Sequence, residues 1–379
     1  MADPSLGRST PLVPPLYQSS VYTLPDLDAL DRIVNAEEPG FIYARDGHPN
    51  ARALAADLAK MEGAAWAAIT GSGMAAITAA VLPLVQQGDR IIASHRLYGR
   101  TTQLFGQELP RYGVEAVFVD TCDLKQVRAA LEQPAKVLFV ETMSNPLLRL
   151  TDVEALAKVA KEHHCTLIVD NTFATPVLCK PLDLGADLVM ESLTKMICGH
   201  SDVTLGLLAG KQPDLFPQVN AVISIWGLAS NPFDCWLLSR GLSTLPLRMQ
   251  AATANAVALA SWLAEQPAIS RVVYPTRPDH PDHELAKRLL PAGAGNMLCF
   301  ELKGGRDAVN RFLRAAPGVP FSPSLGNTTT TLSHPGATSH RYVSPAEKKR
   351  QGISDGLIRL SVGVEDIEQT KTEMKKGLQ

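Results

Sequence analysis

Four residues in the middle of the chain, Ser192-Leu193-Thr194-Lys195, combine a reactive amine with two nearby hydroxyls. Lysine is the side chain that condenses with an aldehyde to form an imine, and hydroxyls one and three residues before it suit a phosphate. Together they point to pyridoxal 5'-phosphate (PLP) as the group Lys195 carries. The stretch is approached through Asp170-Asn171-Thr172 and left through Gly199-His200-Ser201-Asp202. Asp170 ends the apolar run Thr166 to Val169, and a carboxylate against the ring nitrogen of such a cofactor favours its protonated, electron-withdrawing form. A helix cap or a turn is the other use open to that aspartate.

Two further stretches can hold an anion. Ala67 to Thr70 is a short apolar run, and Gly71-Ser72-Gly73-Met74 turns from it into a helical pattern through Met74, Ile77 and Val81. A glycine turn opening a helix leaves backbone N–H groups to face a phosphate. Tyr43-Ala44-Arg45-Asp46-Gly47-His48-Pro49-Asn50 places a tyrosine and an arginine fork in one loop, either a plain surface loop or an anion clamp. No G-x-G-x-x-G follows a strand, which disfavours a dinucleotide cofactor. His163, His164 and Cys165 are consecutive and point in different directions, so a solvated helix end is expected there and no metal site.

These residues need a frame, and the hydrophobic pattern supplies one. Arg90 to Ser94, Val114 to Asp120, Lys136 to Thr142, Thr166 to Asn171 and Ala186 to Ser192 read as buried strands, rich in Val, Ile and Leu. Helical stretches lie between them. Thr151-x-x-Glu154 predicts a capping box for a helix over Thr151 to Cys165. Asn50 predicts the N-cap of a helix through Leu54, Leu58 and Met61 that stops at Gly63. The alternation predicts an α/β fold, a mainly parallel sheet with helices on both faces. Ligands of such sheets gather at the carboxyl ends of the strands, where Ser94 to Tyr98, Glu141 to Asn145, Asp170-Asn171 and Ser192 to Lys195 fall. A helix-rich apolar span from about 220 to 265 leads to a smaller α+β unit, with strands at Met297 to Leu302 and Leu357 to Gly363 and a helix at Arg306 to Ala315.

A length of 379 residues favours more than one domain. The expected division is an extended, proline-rich arm at 1–50, a PLP-binding domain at 51–240 and a C-terminal domain at 241–379. With 36 basic and 38 acidic residues the formal charge is -2, which gives no support to nucleic-acid or membrane-surface partners. The 6 cysteines form no C-x-x-C pair and read as reduced thiols. No charged start followed by an apolar core opens the chain, and no apolar stretch reaches bilayer length, so a cytoplasmic protein is expected.

The chain resembles the trans-sulfuration, or Cys/Met metabolism, family of PLP-dependent enzymes. The family includes cystathionine γ-synthase, cystathionine γ- and β-lyases, methionine γ-lyase and O-acylhomoserine sulfhydrylases. The likeness runs from Pro11-Leu12-Val13-Pro14-Pro15 through Tyr43-x-Arg45, Ser72-Gly73-Met74, Leu97-Tyr98-Gly99, Asp170-Asn171-Thr172, Ser192-x-Thr194-Lys195, Gly199-His200-Ser201-Asp202, Arg240-Gly241-Leu242, Ser324-Leu325-Gly326 and His334-Pro335 to Ile358-Arg359-Leu360-Ser361.

It implies fold type I, a large domain on a seven-stranded, mainly parallel sheet with a smaller α+β C-terminal domain. Lys195 would hold PLP as an imine and then shuttle protons, Asp170 would pair with the ring nitrogen, and Tyr98 would stack on the ring. Gly73, Met74, Ser192 and Thr194 would hold the phosphate, completed by Tyr43 and Arg45 from a neighbouring subunit. Arg359 would grip the substrate carboxylate, with Asn145 and Ser324 nearby. A dimer would be the minimum unit and a dimer of dimers the usual one. The implied activity is γ-elimination or γ-replacement on a sulfur-containing L-amino acid or homoserine ester. β-Elimination is the alternative, and a PLP-binding protein without turnover a remote third.

Departures from the family pattern bear on the substrate. His48-Pro49-Asn50 stands where Asn-Pro-Thr is common, which makes His48 either a solvated loop residue or a group at the site mouth. Arg100 replaces a small residue and could meet an anionic substrate end. Ile42 and Thr329 occupy places where cystathionine-handling members carry carboxylates, which favours smaller or uncharged distal groups.

Overall fold

The computed structural model describes residues 8–379; Pro4 of the arm lies outside them. Seven strands form the larger sheet: β1 (Trp66–Thr70), β2 (Arg90–Ser94), β3 (Glu115–Val119), β4 (Val137–Glu141), β5 (Thr166–Asp170), β6 (Leu188–Ser192) and β7 (Gly206–Gly210), in the order β1-β7-β6-β5-β4-β2-β3. All but β7 run one way; β7 pairs antiparallel with both β6 and β1. β4 and β7 are buried along their whole length and β5 and β6 along their middles, as sheets covered by helices on both faces require. A second, antiparallel sheet comprises β8 (Ile269–Val273), β9 (Met297–Leu302), β10 (Thr331–Ser333) and β11 (Leu357–Ser361), in the order β10-β11-β9-β8.

The expected strands are present: Arg90–Ser94 and Met297–Leu302 have the expected bounds, and the others are one or two residues shorter at one or both ends. The sequence reading names no strand at β7, β8 or β10, and reads β1 only as a short apolar run. Gly206-Leu207-Leu208-Ala209-Gly210 is bracketed by glycines that read as breakers, and β8 carries Ser270 and Arg271, whose side chains face solvent. The helix-rich span resolves into Phe216–Ile225, Pro232–Leu242 and Leu245–Ala264.

Several local expectations are corrected. The arm is not extended throughout, because Asp26 caps a helix at Leu27–Val34, its carboxyl accepting the Ala29 N–H at 2.7 Å. His48, and not Asn50, caps the helix Pro49–Glu62: its Nδ1 accepts the Ala51 N–H at 3.1 Å, and Pro49 fills the first helical position, which needs no N–H. His48 is buried, with its pKa lowered by that burial, so it is not a solvated loop residue. Asn50 is the tether of the arm, accepting the Tyr17 N–H at 2.9 Å and donating to the Pro15 carbonyl at 2.8 Å. Asp152 in place of Thr151 caps the helix Val153–Glu162, accepting the Ala155 N–H at 3.2 Å. Beyond that helix Cys165 turns into the core, and burial pushes its thiol up to about 12.

Candidate active site

β4, β5 and β6 end side by side, with Glu141 opposite Asp170 and Asp170 opposite Met190. Their carboxyl ends open into a cavity of about 250 Å³ that Lys195, Asp170, Tyr98 and Arg359 line together with Gly73, Met74, Asn145, Ser192, Thr194 and Ser324. Of the site residues expected from sequence, only Tyr43 and Arg45 are elsewhere.

Lys195 follows β6 on a turn closed by its own N–H to the Ser192 carbonyl at 3.1 Å. The turn is pinned by Leu193, Met196, Ile197 and Cys198, all buried. Lys195 Nζ donates to Ser324 Oγ at 3.2 Å. Burial, and then the nearby Arg359 charge, lower the amine's pKa and make its neutral, nucleophilic form easier to reach. Ser324 can come this close because the chain turns at Gly326 with φ of 86°, where an added Cβ would stand 3.0 Å from the Lys195 Cα.

Asp170 accepts the Thr172 hydroxyl at 2.5 Å and the Thr172 N–H at 3.0 Å, and the Thr172 hydroxyl accepts the Ser192 N–H at 2.8 Å. Burial raises the Asp170 carboxyl to about 6, against the pull of those donors. Arg359 is 3 % exposed on β11, and burial brings its guanidinium down to about 10. Its Nη1 donates to Asn145 Oδ1 at 2.7 Å, and it has no carboxylate partner among the described residues. Tyr98 is 40 % exposed at the cavity wall.

The phosphate candidates sit where the helix Gly73–Val81 begins. Ser72 caps it by accepting the Ala75 N–H at 3.1 Å, and the first-turn N–H groups of Gly73 and Met74 have no acceptor within the helix. A Cβ on Gly73 would stand 2.9 Å from Ser192 Cβ, so only glycine lets the helix start lie against Ser192. Thr194 Oγ1 accepts the Leu205 N–H at 3.2 Å and donates to the Leu205 carbonyl at 3.3 Å.

Tyr43 and Arg45 line a different cavity, with Phe41, Trp66 and Phe216, and the Arg45 guanidinium lies 5.3 Å from the Tyr43 ring centre. Ile42 lines that same cavity, and Thr329 is exposed. Arg100 borders a wider cleft of about 720 Å³ that shares Tyr98, Pro323 and Ser339 with the Lys195 cavity. Its Nη1 donates to Gln103 Oε1 at 2.7 Å.

Two residues to which the sequence reading gave no role belong to the site. Glu141 lines the cavity beside Asp170, and the signal was a carboxylate closing a wholly apolar strand. Arg248 donates to the carbonyls of Met196 at 2.6 Å, Ile197 at 2.8 Å and Gly241 at 2.8 Å, fastening the chain that leaves Lys195. Its signal was one cation inside an apolar helix.

The profile of the family described as "Cys/Met metabolism PLP-dependent enzyme" matches residues 4–379. The chain belongs to this family. It is 43% identical to O-succinylhomoserine sulfhydrylase of Pseudomonas aeruginosa, over 90% of this chain and 84% of that protein. It is 39% identical to L-methionine gamma-lyase of Porphyromonas gingivalis, over 97% of this chain and 92% of that one. Among solved structures, cystathionine gamma synthase from Xanthomonas oryzae pv. oryzae in complex with aminoacrylate and cysteine superimposes with a TM-score of 0.92 at 35% identity, covering 98% of this chain and 95% of that one.

The chain is thus a PLP-dependent enzyme of trans-sulfuration, with fold type I. Its own residues fit the cofactor: the buried Asp170 carboxyl has no basic partner among the described residues, and Lys195 presents an amine of lowered pKa in the same cavity.

Proposed function

We propose that this enzyme eliminates or replaces the γ-substituent of an L-amino acid, either a homoserine ester or a small sulfur amino acid. The observation that carries the reading is the Lys195 amine, lowered in pKa and held by one hydroxyl, in a cavity that also contains Asp170 and the unpaired Arg359. PLP, when bound, supplies the electron sink for charge developing beside the amino nitrogen. Lys195 is its attachment point and afterwards moves protons at the substrate's Cα and Cβ. Asp170 holds the ring nitrogen in its protonated form, and Tyr98 covers the ring. Gly73, Met74, Ser192 and Thr194 bind the phosphate. Arg359, oriented by Asn145, binds the substrate's α-carboxylate.

The same reading makes the active unit an oligomer, a dimer at least and a dimer of dimers in full. Tyr43 and Arg45 of the partner subunit would complete the phosphate site, which is supported by their exposed position away from Lys195 in their own chain. Leu12, Val13, Tyr17 and Val21 on the arm are exposed apolar residues suited to covering a neighbour. Residues 1–50 thus serve the partner, 51–240 carry PLP, and 241–379 close the site with Ser324 and Arg359. No helix among the described residues is long and apolar enough to cross a membrane, and a cytoplasmic location belongs to the reading.

A panel of methionine, cystathionine, homocysteine, cysteine and the acetyl and succinyl esters of homoserine, each with and without added thiol, tests it. 2-Oxobutanoate, or a thioether product when thiol is present, is expected. Pyruvate alone would move the reaction to the β-carbon, and Lys195→Ala protein that keeps both turnover and the visible band of attached PLP would end the proposal.

A further inference from the structure

Glu141 ends β4 inside the cavity and has no part in the roles above. It is 6 % exposed. Its Oε1 accepts the backbone N–H of Tyr98 at 2.6 Å, and its Oε2 accepts the backbone N–H of Asn145 at 3.1 Å. Asn145 in turn receives Arg359. One carboxyl therefore fastens the loop after β2, which carries the aromatic side chain, to the loop after β4, which orients the guanidinium. No basic side chain pairs with Glu141 among the described residues, and Asp170 lies beside it on β5. A second carboxyl in that position is costly, because burial and the Asp170 charge both resist its ionisation. Two converging backbone donors are what favour a carboxylate there over an apolar side chain.

We propose that Glu141 is a positioning residue that sets the spacing between Tyr98 and Arg359, and through it the placing of the substrate's α-carboxylate. The proposal rests on the assignment of Arg359 to that carboxylate. Glutamine keeps the size of Glu141 but replaces one acceptor by an NH2 group, so one backbone donor faces another donor and its loop shifts.

The experiment uses Glu141→Gln holoenzyme and glycine as a small amino-acid probe, followed by the change in visible absorbance of bound PLP, which needs no turnover. The glycine dissociation constant is expected to rise about tenfold, the size of one hydrogen bond to a charged group. Visible circular dichroism should change as Tyr98 shifts, while the dissociation constant of PLP stays within about threefold of its original value. Adding Asn145→Ala should cost less than the product of the two single effects, since both act on one clamp. Unchanged glycine affinity overturns the proposal. So does a loss of PLP affinity as large as the loss of glycine affinity, the mark of a merely structural carboxyl. If Glu141→Gln does not fold, Glu141→Asp keeps both oxygens with a shorter reach and gives the same readout. Arg359→Lys serves as the control: undiminished glycine binding there would refute the functional reading of Arg359 itself, whatever Glu141 does.

Discussion

Glu62→Gln should stabilise the protein at high pH and change it little at low pH. Glu62 ends the helix Pro49–Glu62, Glu191 lies on β6 immediately before Ser192, and both are fully buried. Glu191 Oε1 accepts the Asn171 amide at 3.0 Å, whereas among the described residues its other oxygen and both oxygens of Glu62 have no hydrogen-bond partner. Burial pushes Glu62 from 4.5 up to about 8, with Glu191 and Lys180 lowering it and Asp183 raising it. Burial and the Glu62 charge push Glu191 up as well. A carboxyl whose folded pKa lies above its unfolded one contributes stability below the unfolded value and loses it as pH rises through the folded value. The window here runs from 4.5 to about 8. A full rise of that size corresponds to about 5 kcal/mol at most, and structural relaxation reduces it to roughly 2–4.

Glutamine removes the titration and can donate to Glu191, so the variant should exceed the parent by that amount at pH 9 and match it near pH 5. With an unfolding entropy of about 2 cal/mol/K per residue, this is roughly 3–5 °C in Tm. The assay is far-UV circular dichroism melting of both proteins at equal concentration with saturating PLP, from pH 5 to 9. Titration of the cofactor affects both proteins alike and cancels in the difference. A Tm difference independent of pH, or one favouring the parent at pH 9, would refute the reasoning.

Arg248→Ala leaves three carbonyls around the Lys195 turn without their donor and should cost about 2–4 kcal/mol in denaturant unfolding, with looser PLP. Arg248→Lys should recover only part, because one ammonium cannot reproduce the planar fork; full recovery would show that charge alone matters. Tyr43→Phe and Arg45→Ala should each weaken PLP retention, Arg45→Ala by about 10- to 100-fold on dialysis, the range for hydrogen bonds to a charged group. Equal retention by both variants and the parent would contradict a site shared between subunits.

What was legible in the sequence was whatever depends on neighbours along the chain. The strands β2, β4, β5 and β6 are apolar runs, and the catalytic candidates follow from the topology that places strand ends together. The misread features depend on distant partners. His48 reads as a loop residue until Ser230, 3.3 Å from its Nε2, and the Ala51 N–H give its two ring nitrogens a place. The exchange of cap between Thr151 and Asp152 turns on backbone angles that two adjacent polar residues share almost equally. The Glu62–Glu191 pair joins residues far apart in the chain, and each alone reads as an ordinary helix end or strand residue.

The same distinction separates reaction chemistry from substrate choice. Lys195 stands out by its imine chemistry and Gly73 by the turn it opens into a helix, Asp170 is a carboxylate that could equally cap or turn, and Arg359 is named through the family resemblance alone. The distal half of a substrate is met by whichever side chains happen to share a wall. Arg100 shares one with Tyr342, its guanidinium 5.6 Å from that ring centre, across more than 200 residues of intervening chain. Ile42 shares one with Trp66 and Phe216, in a cavity that Lys195 does not line. On the proposed reading, in which Tyr43 and Arg45 complete a partner's phosphate site, Ile42 beside them would reach the substrate's far end only through the association of two chains.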